Sequence, residues 1–413
     1  MPRTIRRLLV SIVIVAAFGA AVFFLVRYRT LDGRAATLRR AGSALAQGRN
    51  AEVHLRLRTL LWFCPDDGEA LRLSGLAWAQ QGDYPTAIRT FTKIAPESAV
   101  FQTSQLELVT VLQADYQMES QENVLPEYLE RFPDQIHAVL RLAGLLKAQS
   151  RTEEAIAIIR SLIGRPAFGE FTPDDQLSVL IPLAGIQFDP PQPDAILPQL
   201  LMSLQRHPAQ RTVMLAVGEA YVRMGNPEEA IPILREAQQL EGSSVCGSAA
   251  YAEALILSND LKSANGVLKC LTEQHKAETS PEYAELWARW FEASGQFENA
   301  VIERKKAISL KPGHSSLHAA LGRLYQRIQR LEEAAAEHRQ AHELAQAELA
   351  VWKAARSFPD YPTESDCRRM ADLYRRLNCW PETTVWQNLA TGLTKPRARG
   401  AFIGHVVPAV ETS

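Results

Sequence analysis

The chain has 413 residues, too many for one ordinary core, so its length predicts several domains or one array of repeats. Its 45 Lys and Arg and 46 Asp and Glu leave a net charge of −1. No global basic field therefore attracts nucleic acid, and we expect none as a partner. None of the five cysteines belongs to a CxxC pair, which argues against a zinc ribbon and a thioredoxin-like site, and an odd, sparse set of cysteines argues against a disulfide scaffold.

The most apolar segment lies near the N-terminus, where residues 8–26 carry no charge. As a helix this segment would be about 28 Å long, close to the ~30 Å hydrocarbon core of a bilayer. A basic tail, residues 1–7, precedes it, and Arg27 and Arg29 follow it. The alternative is a cleaved signal peptide, since residues 19–21 are small, but the apolar run continues past them. We therefore predict an uncleaved, single-pass transmembrane helix.

The positive charges on the two sides of the apolar segment are nearly equal in number, so they hardly decide on which side of the membrane the rest of the chain lies. The amino group and three arginines stand before the apolar segment, and three arginines follow it closely. These are Arg3, Arg6 and Arg7 before it, and Arg27, Arg29 and Arg34 after it. A short tail before a first apolar segment usually stays inside, which favours an exported, extracytoplasmic position for the remaining chain.

From Arg34 onward the sequence follows a period of 34 residues. The clearest unit, residues 211–244, has small residues at Gly218, Ala230 and Ala237, which are its positions 8, 20 and 27. Two antiparallel helices approach closely only where side chains are small, and Gly225 at position 15 suits the turn between them. Ten units fit this frame, starting at Arg34, Gly68, Gln102, Ile136, Leu177, Arg211, Val245, Pro281, Ser315 and Glu364. In nine of the ten, position 8 is alanine or glycine.

This pattern resembles the tetratricopeptide repeat, and the anchored architecture is similar to that of bacterial membrane-anchored tetratricopeptide proteins. The resemblance implies an all-α fold, a right-handed α-solenoid of helical hairpins behind one N-terminal transmembrane helix. It implies the following division: units 1–4 in residues 34–169, units 5–7 in 170–278, units 8–9 in 281–357, a terminal repeat-like unit in 364–397 and a disordered tail in 398–413.

Several segments depart from the frame. The unit from Gln102 lacks most of the small residues, and the unit from Leu177 is interrupted by the loop sequence FDPPQPD, residues 188–194. Between Ala341 and Ser357 the helical pattern continues beyond the usual end of its unit. Irregular packing is expected at these places.

No nucleotide-binding fingerprint, nucleophile elbow or HExxH motif occurs, so we predict no enzyme, no cofactor and no metal. One alternative stays open, a zinc site in the His-rich ninth unit, where two pairs of histidines are each four residues apart. These residues are His314, His318, His338 and His342. Cys246 and Cys270 stand on the two helices of one unit, where they could form a disulfide or serve as two small hydrophobic side chains.

The resemblance also implies a binding surface, because the first helices of such arrays line a concave groove. In the last two units, charged residues occupy the groove positions, namely Arg323, Arg327, Arg368, Asp372 and Arg375. Arginine binds carboxylates through two hydrogen bonds, so this end suits an acidic peptide or protein segment. Ordinary solvated charge is the alternative interpretation of these residues.

Together these features predict a membrane-tethered scaffold that binds partner proteins through its groove, in the assembly or organisation of an envelope complex. We expect it in a bacterial inner membrane. The rival hypothesis is an accessory subunit, or an enzyme-associated repeat domain, with a metal site at the His-rich unit.

Overall fold

A computed structural model describes residues 31–188, 192–240, 245–275, 280–358 and 362–393, together with Gly19. Apart from Gly19, the predicted basic tail and transmembrane helix lie outside the described residues, as does the predicted disordered tail 398–413. Within the described residues, no helix is both long enough and apolar enough to cross a bilayer.

The described residues form twenty α-helices, one short 3-10 helix at Pro166–Glu170 and no strand. The first ten α-helices are α1 Leu31–Ala46, α2 Asn50–Phe63, α3 Gly68–Gln80, α4 Tyr84–Phe91, α5 Phe101–Ala114, α6 Met118–Arg131, α7 Ile136–Ala148, α8 Thr152–Ile163, α9 Pro173–Phe188 and α10 Pro193–Arg206. The other ten are α11 Arg211–Arg223, α12 Pro227–Gln239, α13 Val245–Leu257, α14 Leu261–His275, α15 Pro281–Ala293, α16 Phe297–Leu310, α17 Ser315–Arg327, α18 Leu331–Arg356, α19 Glu364–Arg376 and α20 Trp380–Gly392. The all-α prediction is therefore confirmed for this part of the chain.

The turn inside each hairpin uses one special backbone conformation. Nine residues at position 15 of the repeat have a positive φ between 55° and 80°, the left-handed region. They are Gly48, Gly82, Tyr116, Ser150, Gly225, Asn259, Gly295, Gln329 and Asn378. Glycine adopts this conformation without steric cost, and the five other residues adopt it because the two flanking helices fix the turn.

Small residues separate the paired helices, as the frame requires. All ten residues at position 8 are buried, and so are the alanines at position 20, such as Ala87 and Ala230. A Cβ atom on Gly218 would lie 2.3 Å from Cγ of Leu234 on the opposite helix, which shows how closely α11 and α12 approach. Second helices end two residues before Pro65, Pro133, Pro208 and Pro312, as proline ends a helix.

The chain divides into two compact units, one up to Val124 and one from Leu125. In the first unit, α1, α2 and α3 share an apolar core that includes Leu38, Leu57 and Leu60. Arg72 of α3 forms an ion pair with Glu107 of α5 at 2.7 Å, which links the next hairpins.

In the second unit, α11, α12 and α13 share an apolar cluster that includes Leu215, Leu234 and Ala250. Further clusters join α13, α14 and α15, and then α15 to α18. Each hairpin thus packs mainly against its neighbours along the chain, the arrangement typical of repeat proteins.

One cluster of the second unit joins helices that are distant in sequence. Leu180 of α9 packs with Val351 of α18, Tyr374 of α19 and Trp386 of α20. The 26-residue helix α18 provides this contact, because its additional turns extend beyond the usual end of a repeat. The last hairpin, α19–α20, therefore packs against α9 in the middle of the sequence.

Candidate functional site

Four consecutive first helices of the second unit, α11, α13, α15 and α17, carry a series of charged residues that we call the groove ladder. Position 9 of these helices is charged in every case: Glu219, Glu253, Arg289 and Arg323. Arg223, Glu285, Glu292 and Arg327 come from the same helices, and Arg304 comes from α16. Position 9 is one of the groove positions that the family resemblance implies, and the contact of Arg289 with Glu253 shows that charges on these two neighbouring first helices lie side by side.

Arg289 connects two of the helices. Its guanidinium contacts Glu253 on α13 and bonds to Glu285 on its own helix at 3.3 Å. The three side chains are partly exposed. A charged group of a partner can therefore replace Glu253 or Glu285 beside Arg289 at the surface, without entering the core.

Arg304 reaches the ladder from the second helix of the same hairpin. It is nearly buried and donates to Glu285 at 3.2 Å and to Glu292 at 2.8 Å. These bonds from the neighbouring helix α16 restrict the positions of both carboxylates, because one guanidinium donates to each of them. Glu285 and Glu292 are therefore held in place before any partner binds.

At the α17 end the ladder becomes basic. Arg327 lies 3.4 Å from Glu292 and stacks over the Phe297 ring, with 4.6 Å between the guanidinium carbon and the ring centroid. Arg323 is exposed one turn earlier on the same helix. Both predicted arginines thus belong to the groove ladder, and the structure adds the carboxylates Glu285 and Glu292, which the sequence interpretation did not include.

Glu219 has the strongest electrostatic perturbation in the ladder. Burial raises the pKa of its carboxyl to about 7, Arg223 opposes the rise and Glu253 adds to it. Arg223 is its ion-pair partner at 2.7 Å. A carboxyl that changes charge near neutral pH is unusual, and such groups concentrate at functional sites.

We expect Glu219→Gln to stabilise the α11–α12 hairpin at pH 8 by up to about 2–3 kcal/mol and not at pH 4. The folded-state pKa lies above the unfolded value, so the ionised carboxyl destabilises the folded state, and this penalty disappears as the pH falls below the unfolded pKa. Denaturant titrations and hydrogen exchange at both pH values measure the difference. Glu229→Gln on α12 is the matched control, because Glu229 is exposed and should show little change. A pH-independent effect of Glu219→Gln would contradict the expectation.

The other predicted groove residues lie on α19. Arg368 pairs with Glu364 within the helix, and Arg375 bonds to Asp372 at 2.6 Å. Arg368, Asp372 and Arg375 are exposed. The five predicted residues therefore fall on two first helices, α17 and α19. Between these two helices in sequence lies α18, the longest helix of the described residues.

The histidines of the ninth unit have protein partners. His318 is buried and uses both ring nitrogens, Nδ1 with Glu337 at 2.7 Å and Nε2 with the Pro312 carbonyl at 3.1 Å. His338 packs against Gly322, where a Cβ would lie 2.8 Å from its ring. In the part of the chain that the structure describes, no group of three or more His, Cys, Asp or Glu could hold a metal ion.

The cysteines give no support to a redox centre. Cys270 is a free and exposed thiol, and the side chain of Cys246 lies outside what the structure describes. Burial raises the pKa of Cys367 to about 12 and that of Cys379 to about 11. Both thiols are therefore protonated and unreactive at neutral pH.

A second surface feature lies in the first unit. An open cleft of about 810 Å³ between α2 and α3 is lined by residues that include His54, Leu55, Trp62 and Trp78. The His54 ring stacks on Trp78 with 4.0 Å between centroids, and burial lowers its pKa. Nothing in the sequence frame singles out these residues, since they occupy positions without a small-residue requirement.

The repeated helical hairpins define a helical repeat protein. Residues 55–99 and 212–243 each match a family model described as tetratricopeptide repeat. Both segments are therefore tetratricopeptide repeats, as the small-residue frame predicted. This repeat is typically a non-catalytic scaffold that binds proteins or peptides.

Solved structures are similar to this chain at low identity, and among curated proteins none matches. TTC0263, a thermophilic TPR protein of Thermus thermophilus, is 18% identical over 45% of this chain and 98% of its own, with a TM-score of 0.35. A tetratricopeptide repeat protein from Parabacteroides merdae is 13% identical over 70% of this chain and 99% of its own, with a TM-score of 0.32. MamA from Desulfovibrio magneticus is 18% identical over 42% and 97%, with a TM-score of 0.31.

Proposed function

We propose that the protein is a membrane-anchored, non-catalytic scaffold that captures an acidic segment of a partner protein at the α17 end of the groove ladder. The observation that supports this proposal is the ladder itself. Four first helices present partly exposed carboxylates and guanidiniums that the core does not require, and Arg304 holds the carboxylates in place from below. Fixed polar groups cost little to order when a partner binds.

The chemistry at α17 favours a carboxylate-bearing partner. Arg323 and Arg327 are exposed, and only Glu292 lies close to Arg327 as an acceptor within 4 Å in the described residues. An incoming carboxylate can form charge-assisted hydrogen bonds with both guanidiniums, each worth about 1.5–3 kcal/mol. Arg368 and Arg375 on α19 provide a second basic site for a longer acidic segment.

The anchor would be residues 8–26, with the repeats on the extracytoplasmic side of a bacterial inner membrane. A tether raises the effective concentration of the groove for partners in the same membrane, so that a weak groove suffices. This placement suits the assembly or organisation of an envelope complex.

The test is a photo-crosslinking pull-down of the full chain in its native membrane, with the photoreactive residue in place of Gln326 on α17. Reversal of Arg323 and Arg327 to Glu should reduce capture of the acidic partner by at least about 100-fold. Helicity should remain, because both side chains are exposed. Binding should also weaken as salt rises, since exposed ion pairs are screened.

The matched control reverses Lys306 on α16 and Arg339 on α18, which changes the charge equally on second helices and should leave capture intact. Reversal of Arg368 and Arg375 tests the second basic site separately. Deletion of residues 1–30 should release the protein from membranes. Capture that survives reversal of both arginine pairs would disprove the acidic-partner proposal, and continued sedimentation of the deletion variant with partner-free membranes would disprove the anchor.

A further inference from the structure

The charge of this chain is segregated towards the proposed anchor. Residues 1–63 contain eleven of the 45 Lys and Arg but only two of the 46 Asp and Glu. The rest of the chain therefore has ten more acidic than basic residues. Between the apolar segment and the end of α2, residues 27–63, stand eight arginines and the carboxylates Asp32 and Glu52. The first hairpin is basic in a chain that is otherwise acidic.

The hairpin itself, residues 31–63, contains six of these arginines, and three of the six have no carboxylate partner among the described residues. Arg34 forms an ion pair with Asp67, and Arg49 and Arg56 both pair with Glu52. The other three, Arg39, Arg40 and Arg58, are exposed and have no ion-pair partner among the described residues. Their charge is available to an anionic surface.

The exposed face of α2 that lines the open cleft carries large apolar side chains beside one of these arginines. Leu55 and Trp62 are 64% and 73% exposed, and Arg58 lies between them. Spacings of three, four and seven residues place all three side chains on one face of the helix. Exposed leucine and tryptophan interleaved with arginine are typical of helices that lie in a membrane interface.

This face also lies near the position where the proposed anchor would leave the bilayer. Nη2 of Arg34, in the first turn of α1, donates to Asp67 just beyond α2 at 2.9 Å. The end of α2 that carries Trp62 is therefore beside the start of α1. Leu31, where α1 begins, follows Val26 by five residues, so at most ~18 Å of extended chain separates the two.

We propose, on the basis of the anchor in the proposed function, that the first hairpin binds the surface of a membrane rich in anionic phospholipids. Trp62 and Leu55 enter the interface, and Arg39, Arg40 and Arg58 bind lipid phosphates. The acidic remainder of the chain is repelled from the same surface. The hairpin thereby holds the first compact unit against the lipid instead of leaving it free to rotate on the anchor.

The test uses the full chain in lipid nanodiscs and measures quenching of tryptophan fluorescence by brominated acyl chains. In discs of phosphatidylglycerol and phosphatidylcholine we expect quenching in the wild type and loss of that quenching in Trp62→Phe. Trp380→Phe is the matched control, because Trp380 is also exposed but belongs to the last hairpin, and its replacement should leave the quenched component intact. Discs of phosphatidylcholine alone should give little quenching.

Charge reversal separates an anionic lipid surface from other occupants. Arg39→Glu, Arg40→Glu and Arg58→Glu together should shift the hairpin off the anionic surface by about 100-fold and abolish the quenching. If Trp62→Phe is quenched as much as the wild type, or if neither lipid charge nor charge reversal matters, the inference is wrong and α2 serves another partner. A full chain that enters nanodiscs without quenching of Trp62 overturns this inference alone. A full chain that fails to enter them overturns the anchor and this inference with it.

Discussion

Replacement of Arg160 by alanine should destabilise the docking of the last hairpin by about 3–5 kcal/mol. Nε of Arg160 on α8 donates to Oε1 of Glu382 on α20 at 2.8 Å, and the Glu382 side chain is completely buried. Without Arg160, this oxygen would retain, among the described residues, only the hydrogen bond from Nε2 of Gln187 at 2.7 Å. An ionised carboxylate would then be buried without its counter-charge, which is among the most destabilising changes in a protein interior.

The measurement is hydrogen exchange, which reports the opening of individual helices. Protection should fall in α19 and α20 and in the face of α9 that packs on them, because Tyr374 and Trp386 share one apolar cluster with Leu180. Helices α11 and α12 should retain their protection, since their cluster does not include these residues.

Arg165→Ala is the matched control for Arg160→Ala. Both arginine side chains are 37% exposed, but Arg165 pairs at 3.4 Å with Asp134, which is itself 46% exposed. An exposed pair contributes about 1 kcal/mol at most. The double variant Arg160→Met with Glu382→Leu should recover most of the lost stability, because it removes both charges together. Equal costs for the two single alanine variants would show that the buried pair does not hold the last hairpin.

The repeat architecture was predictable because it depends on local rules. Close helix crossing requires small residues at fixed intervals, and those intervals are visible in the sequence. The frame placed the starts of seven first helices at the residue where the structure begins them: Gly68, Ile136, Arg211, Val245, Pro281, Ser315 and Glu364. It did not predict that Tyr116, Ser150 and Gln329 would adopt the left-handed conformation at this turn. Glycine adopts that conformation with the least steric cost, but other residues can also adopt it.

The return of the last hairpin to α9 was not predictable from the frame. A repeat pattern specifies contacts between neighbours, whereas Arg160 and Glu382 are 222 residues apart. The extended helical pattern after Ala341 indicated an irregular unit, but it did not indicate which helix the additional turns would contact. Gly313 gives a similar case: a Cβ there would lie 1.7 Å from the Leu377 carbonyl oxygen, so the loop before α17 fits closely against the end of α19.

The contacts around the predicted groove arginines were only partly predictable, for a physical reason. The resemblance assigned Arg323 and Arg327 to groove positions, and both side chains are exposed in the structure. It did not indicate that Arg304, from a second helix, would reach Glu285 and Glu292, because a long side chain can cross between helix layers. Glu219 and Glu253, by contrast, occupy position 9 of their units, so the sequence itself contains the signal for these two carboxylates.

The α11–α12 hairpin gives the second large expected effect. Ala230→Trp should destabilise this hairpin by about 3 kcal/mol or more, because overpacking of a close helix crossing forces the helices apart. Ala230 is completely buried in a cluster with Met214, Leu234 and Ala250.

The position of the damage tests whether the array is held mainly by nearest neighbours. Hydrogen exchange in Ala230→Trp should show lost protection in α10 to α13, which pack on or beside the altered helix, and unchanged protection in α16 to α18. Ala335→Trp is the control, since Ala335 is exposed on α18 and the same ring there meets solvent. The packing of the last hairpin against α9 provides a second readout of the same experiment. If this contact makes the second unit unfold cooperatively, protection in α19 and α20 will fall together with that in α11 and α12. If contacts between neighbouring hairpins dominate, protection in α19 and α20 will not change. Uniform loss of protection, or none, would contradict the expectation that a repeat protein opens locally.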